Sequence, residues 1–239
     1  MVNGRRLKPT SVNRKLATLK SFISWANDEG LAPQITAVKV PKLEREVRRG
    51  PRWLDRREQN ALLRAVERGG DTRDLAIVQI LINTGVRVQE LCSLEWQDVT
   101  IGNAKECWSC GQGRGGKRRE LPLNADSRAA IMELGYKAHV GERSAVFLGQ
   151  RGPLTPRGVQ NMLAKYAVDR GLLALGKEGV SPHELRHTFC KNLVEAGVSL
   201  EKIAALASHE SLDTTRQYCE PSFRDFERRG DRLTRCLTY

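Results

Sequence analysis

The sequence predicts a mainly helical protein carrying one small antiparallel β-sheet, an α+β chain in which helix dominates. Three observations lead there. Apolar residues recur at three- and four-residue spacing through most of the chain. Short β-prone stretches cluster about one Gly-rich turn, CGQGRGGK. The chain shows no internal repeat that would stack these elements into a solenoid.

The first helix is expected to start near Thr10 or Ser11, after Pro9, and to fade at NDEG. Val12, Leu16, Leu19, Phe22, Ile23 and Ala26 form its apolar stripe, with Arg14, Lys15 and Lys20 off it. Such a stripe has to pack on something. Val40 to Arg52, VPKLEREVRRGPR, lacks periodicity, is rich in charge and is bounded by prolines, as a basic linker would be. Asp55 and Glu58 then form a D-x-x-E capping box ahead of a helix that Gly69 and Gly70 end. TRDLAIVQILINTG is almost continuously apolar and predicts a buried helix.

Arg87 follows a Gly turn at the start of a short helix, with Glu90 three residues on and Leu91 and Leu94 facing inward. Val99 and Ile101, then ECW, then KRRELPL predict short strands about the Gly-rich turn, with Lys117 at the hairpin mouth. Further helices are expected over 125–138, 155–170, 182–196 and 200–207, and Asp213, Thr214 and Thr215 are expected to cap another.

Of 239 residues, 40 are Lys or Arg and 28 are Asp or Glu, so the net charge is +12 with a pI near 9.7. That balance favours an acidic partner, nucleic acid before anionic membrane. Residues 1–52 alone hold a net +8, which makes the front segment the main electrostatic handle. No apolar run reaches the roughly 18 residues of a membrane span, and no signal-peptide core follows Met1. A cytoplasmic protein without a membrane partner is expected. The six cysteines are scattered, and the CWSC pair at Cys107 and Cys110 has no second Cys or His pair at similar spacing. Free thiols are therefore expected there, not a structural zinc.

The stretch SPHELRHTF, Ser181 to Phe189, admits two chemistries. As H-E-x-x-H it would bind zinc through His183 and His187, with Glu184 as base, making a zinc hydrolase. Alternatively, His183 and Arg186 in the first turns of a helix would grip an anion such as phosphate. Ser181 as N-cap and Pro182 at the first helical position place both residues where the helix dipole favours anions and opposes a cation. The extended metzincin pattern also fails, since Cys190 and Leu193 stand where Gly and His belong, although Glu210 could serve as a third ligand.

Four blocks in order, TGVRVQEL, KRRELPL, HELRHTF and LASHESLDTTRQY, resemble the tyrosine recombinase, or phage integrase, family. The resemblance covers most of Trp53 to Tyr218. It implies the recombinase catalytic-domain fold over 53–239, a basic linker over 43–52, and a partial helical core-binding segment of the DNA clamp over 1–42. The family has several helices in that front segment and one clear helix is seen here, so a shortened clamp is expected. By resemblance, Arg87 and Arg186 clamp a DNA phosphate and Lys117 is the general acid. His183 assists proton transfer at the tyrosine, His209 donates a hydrogen bond to the phosphate, and Tyr218 becomes a 3′-phosphotyrosine. Glu90 matches an acidic position that orients the site, and His187 is taken as a structural histidine beside it.

Those residue types suit the reaction. Guanidiniums offer planar, permanently charged donors to phosphate oxygens, and attack by a phenol needs one proton removed and another delivered. A phosphotyrosine keeps the ester bond energy, so neither ATP nor a metal or other cofactor is implied. Double-stranded DNA is the implied partner. A homotetramer on DNA and accessory DNA-bending proteins are implied with it, and integration, excision or resolution of a mobile element is the implied task. A DNA-binding remnant with an unused site is the second reading. Ala207 and Ser208 depart from the family's Leu and Gly, which is harmless unless the position needs positive φ.

Overall fold

The computed structural model describes residues 7, 9–31, 51–102, 106–110, 119–168, 179–208 and 212–219. Two units emerge, Met1–Gly50 and Pro51–Tyr239. In the first, α1 runs from Pro9 to Asp28. Its stripe differs from the expected one. Ile23 and Ala26 are buried, but Leu19 and Phe22 are exposed, and the Phe22 ring lies 5.7 Å from that of Trp25. Helical periodicity thus located the helix but drew its buried face too wide.

The second unit is organised around a helix buried on nearly all sides. α2 (Arg56–Gly69) opens with the expected capping box. Asp55 Oδ1 accepts from the Arg57 and Glu58 amides at 2.8 and 2.9 Å, and Glu58 Oε2 accepts from the Asp55 amide at 2.7 Å. α3 (Thr72–Thr84) follows, with Ala76, Ile77, Val78, Ile80, Leu81 and Ile82 all buried, and it packs on α2, on α5 (Ala125–Glu133) and on the helix Pro182–Glu195. Neighbours on several sides explain why its sequence is apolar without a polar face.

α3 ends at Gly85, whose φ of +61° makes the left-handed cap, and Arg87 then serves as N-cap of the short α4 (Val88–Cys92). After a single 3₁₀ turn at Trp96–Asp98, three strands form an antiparallel meander: β1 (Val99–Ile101), β2 (Glu106–Cys110) and β3 (Arg119–Pro122). Trp108 pairs with Val99 on one side and Leu121 on the other, so one row of side chains seals the sheet onto the core. Cys107 is buried and free of a disulfide.

The helix expected over 125–138 is two. α5 stops at Glu133 and α6 covers Tyr136–His139, because Gly135 takes φ +97° between them. A two-residue hairpin, β4 (Leu148–Gly149) with β5 (Gly152–Pro153), adds a second small sheet that the sequence did not announce. α7 (Pro156–Ala167) starts on the Thr155 cap, whose Oγ1 accepts from the Gly158 amide at 3.1 Å. The residues expected to extend it, 169–170, lie outside those described.

α8 (Pro182–Glu195) begins at Ser181 and Pro182 as expected, and α9 covers Leu200–Ala207. α10 spans Leu212–Arg216, so Asp213, Thr214 and Thr215 lie inside the helix and do not cap it. Thr215 is fully buried, a core position that its cap-forming chemistry had masked. Phe189, Cys190, Ile203, Ala207 and Tyr218 form a second apolar cluster among α8, α9 and the residues after α10.

Candidate active site

The first turn of α8 is fixed by a capping box. The Glu184 amide donates to Ser181 Oγ at 3.2 Å, and Glu184 Oε2 accepts from the Ser181 amide at 2.9 Å. Glu184 therefore holds the helix start, and the H-E-x-x-H spacing is accounted for without a catalytic carboxylate. Among the described residues no three His, Cys, Asp or Glu side chains are grouped as metal ligands would be.

Arg186, one turn on, points inward and is only 5% exposed. Nη1 donates to the Gly85 carbonyl at 2.6 Å and Nη2 donates to the Ala207 carbonyl. Burial, and then the charge of Arg87, pull its pKa down from the usual arginine value. The pull from Arg87 means that the two cations share one locality, an arrangement that an anion would stabilise.

Arg87 lies two residues beyond Gly85, whose carbonyl holds Arg186. Its Nη2 donates to the Ser208 carbonyl at 2.7 Å, and Nη1 lies 3.3 Å from Glu90 Oε1. Successive carbonyls, those of Ala207 and Ser208, thus hold the two guanidiniums. The turn that presents them is left-handed: Ser208 has φ 48° and ψ 51° as the C-cap of α9. The position does need positive φ, and serine occupies it against its preference.

Glu90 is a hub. Its two oxygens accept from Arg119 Nη1 and Nη2 at 2.9 Å each, and Oε2 also accepts from the Arg87 amide at 2.8 Å. Burial alone would raise its pKa, but the bonds from Arg119 and Arg87 outweigh it and the carboxyl is held below its usual value. Arg119 was not singled out in the sequence. It opens β3, two residues after Lys117 in sequence, and only its bonds to Glu90 reveal its role. Lys117 and His209 lie outside the described residues.

Tyr218 is 1% exposed, in the apolar cluster with Phe189, Ile203 and Ala207. Burial raises its pKa, and the neighbouring Cys190 raises it further. Its hydroxyl is hydrogen-bonded to Nδ1 of His187. The His187 ring lies 5.4 Å from the Tyr218 ring and 4.1 Å, edge to face, from that of His183. His183, expected at the tyrosine, therefore stands one ring behind, and His187 is the histidine in contact with it. The i, i+4 spacing of His183 and His187, continued by Cys190, was the available signal that all three share one face of α8. Burial, then Arg186, lowers the His183 pKa against an opposing pull from Glu184, which favours the neutral ring.

The described part of the site thus gathers three arginines, a buried carboxylate hub, two histidines and a phenol around the ends of α3, α8 and α9. No helix among the described residues is long and apolar enough to cross a membrane.

The model of the phage integrase family matches residues 52–224. Over 221 residues the chain is 33% identical to a tyrosine recombinase XerC of Thermodesulfovibrio yellowstonii, covering 87% of this chain and 70% of that protein. A tyrosine recombinase XerC of Neisseria meningitidis serogroup B is 30% identical over 229 residues, 93% of this chain and 73% of that one. Among solved structures, the Tn1549 transposon integrase in complex with transposon right end DNA is similar at a TM-score of 0.72 and 20% identity, over 95% of this chain and 80% of that one. XerA recombinase follows at 0.63 and 21%, over 95% and 83%. The mostly helical architecture with its small antiparallel sheet is the fold of these catalytic domains.

Proposed function

The chain belongs to the phage integrase family, and from that premise we propose that it is a site-specific DNA recombinase working through a 3′-phosphotyrosine at Tyr218. One observation carries the proposal: Arg87 and Arg186, 99 residues apart in sequence, are held by adjacent carbonyls at a single turn close to a buried phenol. Two guanidiniums so placed match the two non-bridging oxygens of one phosphodiester.

In the proposed reaction, both arginines neutralise the scissile phosphate while the Tyr218 oxygen attacks phosphorus. The bond to the 5′ oxygen breaks, and that oxygen takes a proton from Lys117. His209 donates a hydrogen bond to the phosphate, and His183 supports proton transfer on the nucleophile's side. Glu90 orients Arg87 through its backbone amide and side chain. The 5′ hydroxyl of the same or another strand then reverses the attack, so strands are exchanged without ATP or a metal.

Double-stranded DNA is the proposed partner, in line with neighbours solved on transposon and circular-intermediate DNA. Residues 1–42 are assigned to the core-binding side of the clamp, 43–52 to its linker and 53–239 to catalysis. A tetramer on DNA, aided by DNA-bending proteins, would integrate, excise or resolve a mobile element.

The test is a duplex nicked beside the scissile phosphate, incubated with the protein in EDTA and run on a denaturing gel. The wild type is expected to give a covalent protein–DNA band and Tyr218→Phe none. A wild-type protein that binds a verified site yet leaves no band would refute the assignment.

A further inference from the structure

The Tyr218 hydroxyl takes a partner from α8. That partner is Nδ1 of His187, whose ring lies 5.4 Å from the Tyr218 ring. An imidazole with its hydrogen on Nε2 is an acceptor at Nδ1. The phenol oxygen thus has an acceptor for its proton within hydrogen-bonding reach.

We propose that His187 is a catalytic residue of the cleavage step, the base that receives the Tyr218 proton. This rests on the recombinase reading above and changes the division of labour within it. The Tyr218 O–H bond breaks with its proton passing to His187 Nδ1. The oxygen's electron pair forms the bond to phosphorus, and the P–O5′ bond breaks with its pair going to the 5′ oxygen, protonated by the general acid. His183, 4.1 Å from the His187 ring by centroid, becomes a positioning residue that packs the base edge to face. Geometry favours this order, since the phenol is hydrogen-bonded to His187.

Single-turnover cleavage of the nicked duplex by the full-length chain would decide it, using His187→Gln on two substrates. One carries the ordinary phosphodiester and the other has sulfur in place of the leaving 5′ oxygen. Sulfur leaves without a proton, so it rescues loss of a general acid but not loss of the base at the nucleophile. The variant is expected to bind duplex within threefold of wild type and to cleave more than tenfold slower, on the order of a hundredfold, on both substrates. A second variant, His187→Gly, should regain cleavage when imidazole is added, a rescue that loss of mere packing would not show. Phosphodiester cleavage by His187→Gln within tenfold of wild type would overturn the inference, as would a defect that sulfur removes or a failure of imidazole to rescue the glycine variant. Should the glutamine variant lose duplex binding, His187→Asn is read by the same thresholds. A wild type that forms no covalent band would strike the recombinase reading itself, so the two failures are distinguishable.

Discussion

Glu90 shows how one buried carboxylate can hold a site together. It is 6% exposed and accepts both Arg119 bonds and the Arg87 amide. Because its folded pKa lies below the unfolded value of about 4.3, its stabilisation is fully present above that pH and is lost as pH falls through the folded pKa. Glu90→Gln is expected to cost about 3 kcal/mol near neutrality, since Arg119 keeps a poorly matched charge in a mostly buried place. Urea melts over an acid series should show the gap from wild type closing below about pH 4. Ser208 makes a second case. A left-handed non-glycine residue costs roughly 1–2 kcal/mol, and glycine returns about 0.5–1 of that in backbone entropy. Ser208→Gly should therefore raise the urea midpoint, by up to about 1 kcal/mol of stability.

Among the elements, the end of α3 comes close against the middle of α8. Gly85 sits at φ +61°, and a Cβ there would enter the Phe189 ring. Gly85→Ala is expected to cost about 3 kcal/mol or more, from left-handed strain plus overpacking, seen as a lowered thermal midpoint. The same carbonyl anchors Arg186, so single-turnover cleavage should fall with it. Helices α2, α3 and α8 could be found in the sequence because their signals are local: Asp55 with Glu58, an apolar run ending at Gly85, Ser181 before Pro182. The β4–β5 hairpin could not, since two-residue strands have no period to detect, and the break at Gly135 depends on one left-handed residue. The site divides in the same way. Arg87, Glu90, Arg186 and Tyr218 stood in recognisable blocks, and the structure draws them together. Arg119 and His187 stood in the same blocks, but what marks them is a partner across space, Glu90 for one and Tyr218 for the other.

For the molecule as a whole, charge decides more than shape. A net +12, with +8 of it in residues 1–52, predicts DNA binding driven largely by counterion release. Anisotropy titrations should show affinity falling about 10³-fold or more between 50 and 200 mM salt if about six phosphates are neutralised. A salt-insensitive affinity would contradict that. The turn at Ala207 and Ser208 has a consequence of another kind. Its adjacent carbonyls hold Arg186 and Arg87, so the two forks are carried on one arm and shift together when it shifts. For a lineage accumulating insertions or deletions, the turn at Ala207 and Ser208 is then a shared point of failure. A change of length there displaces both cations at once, and the pocket is inherited whole or lost whole.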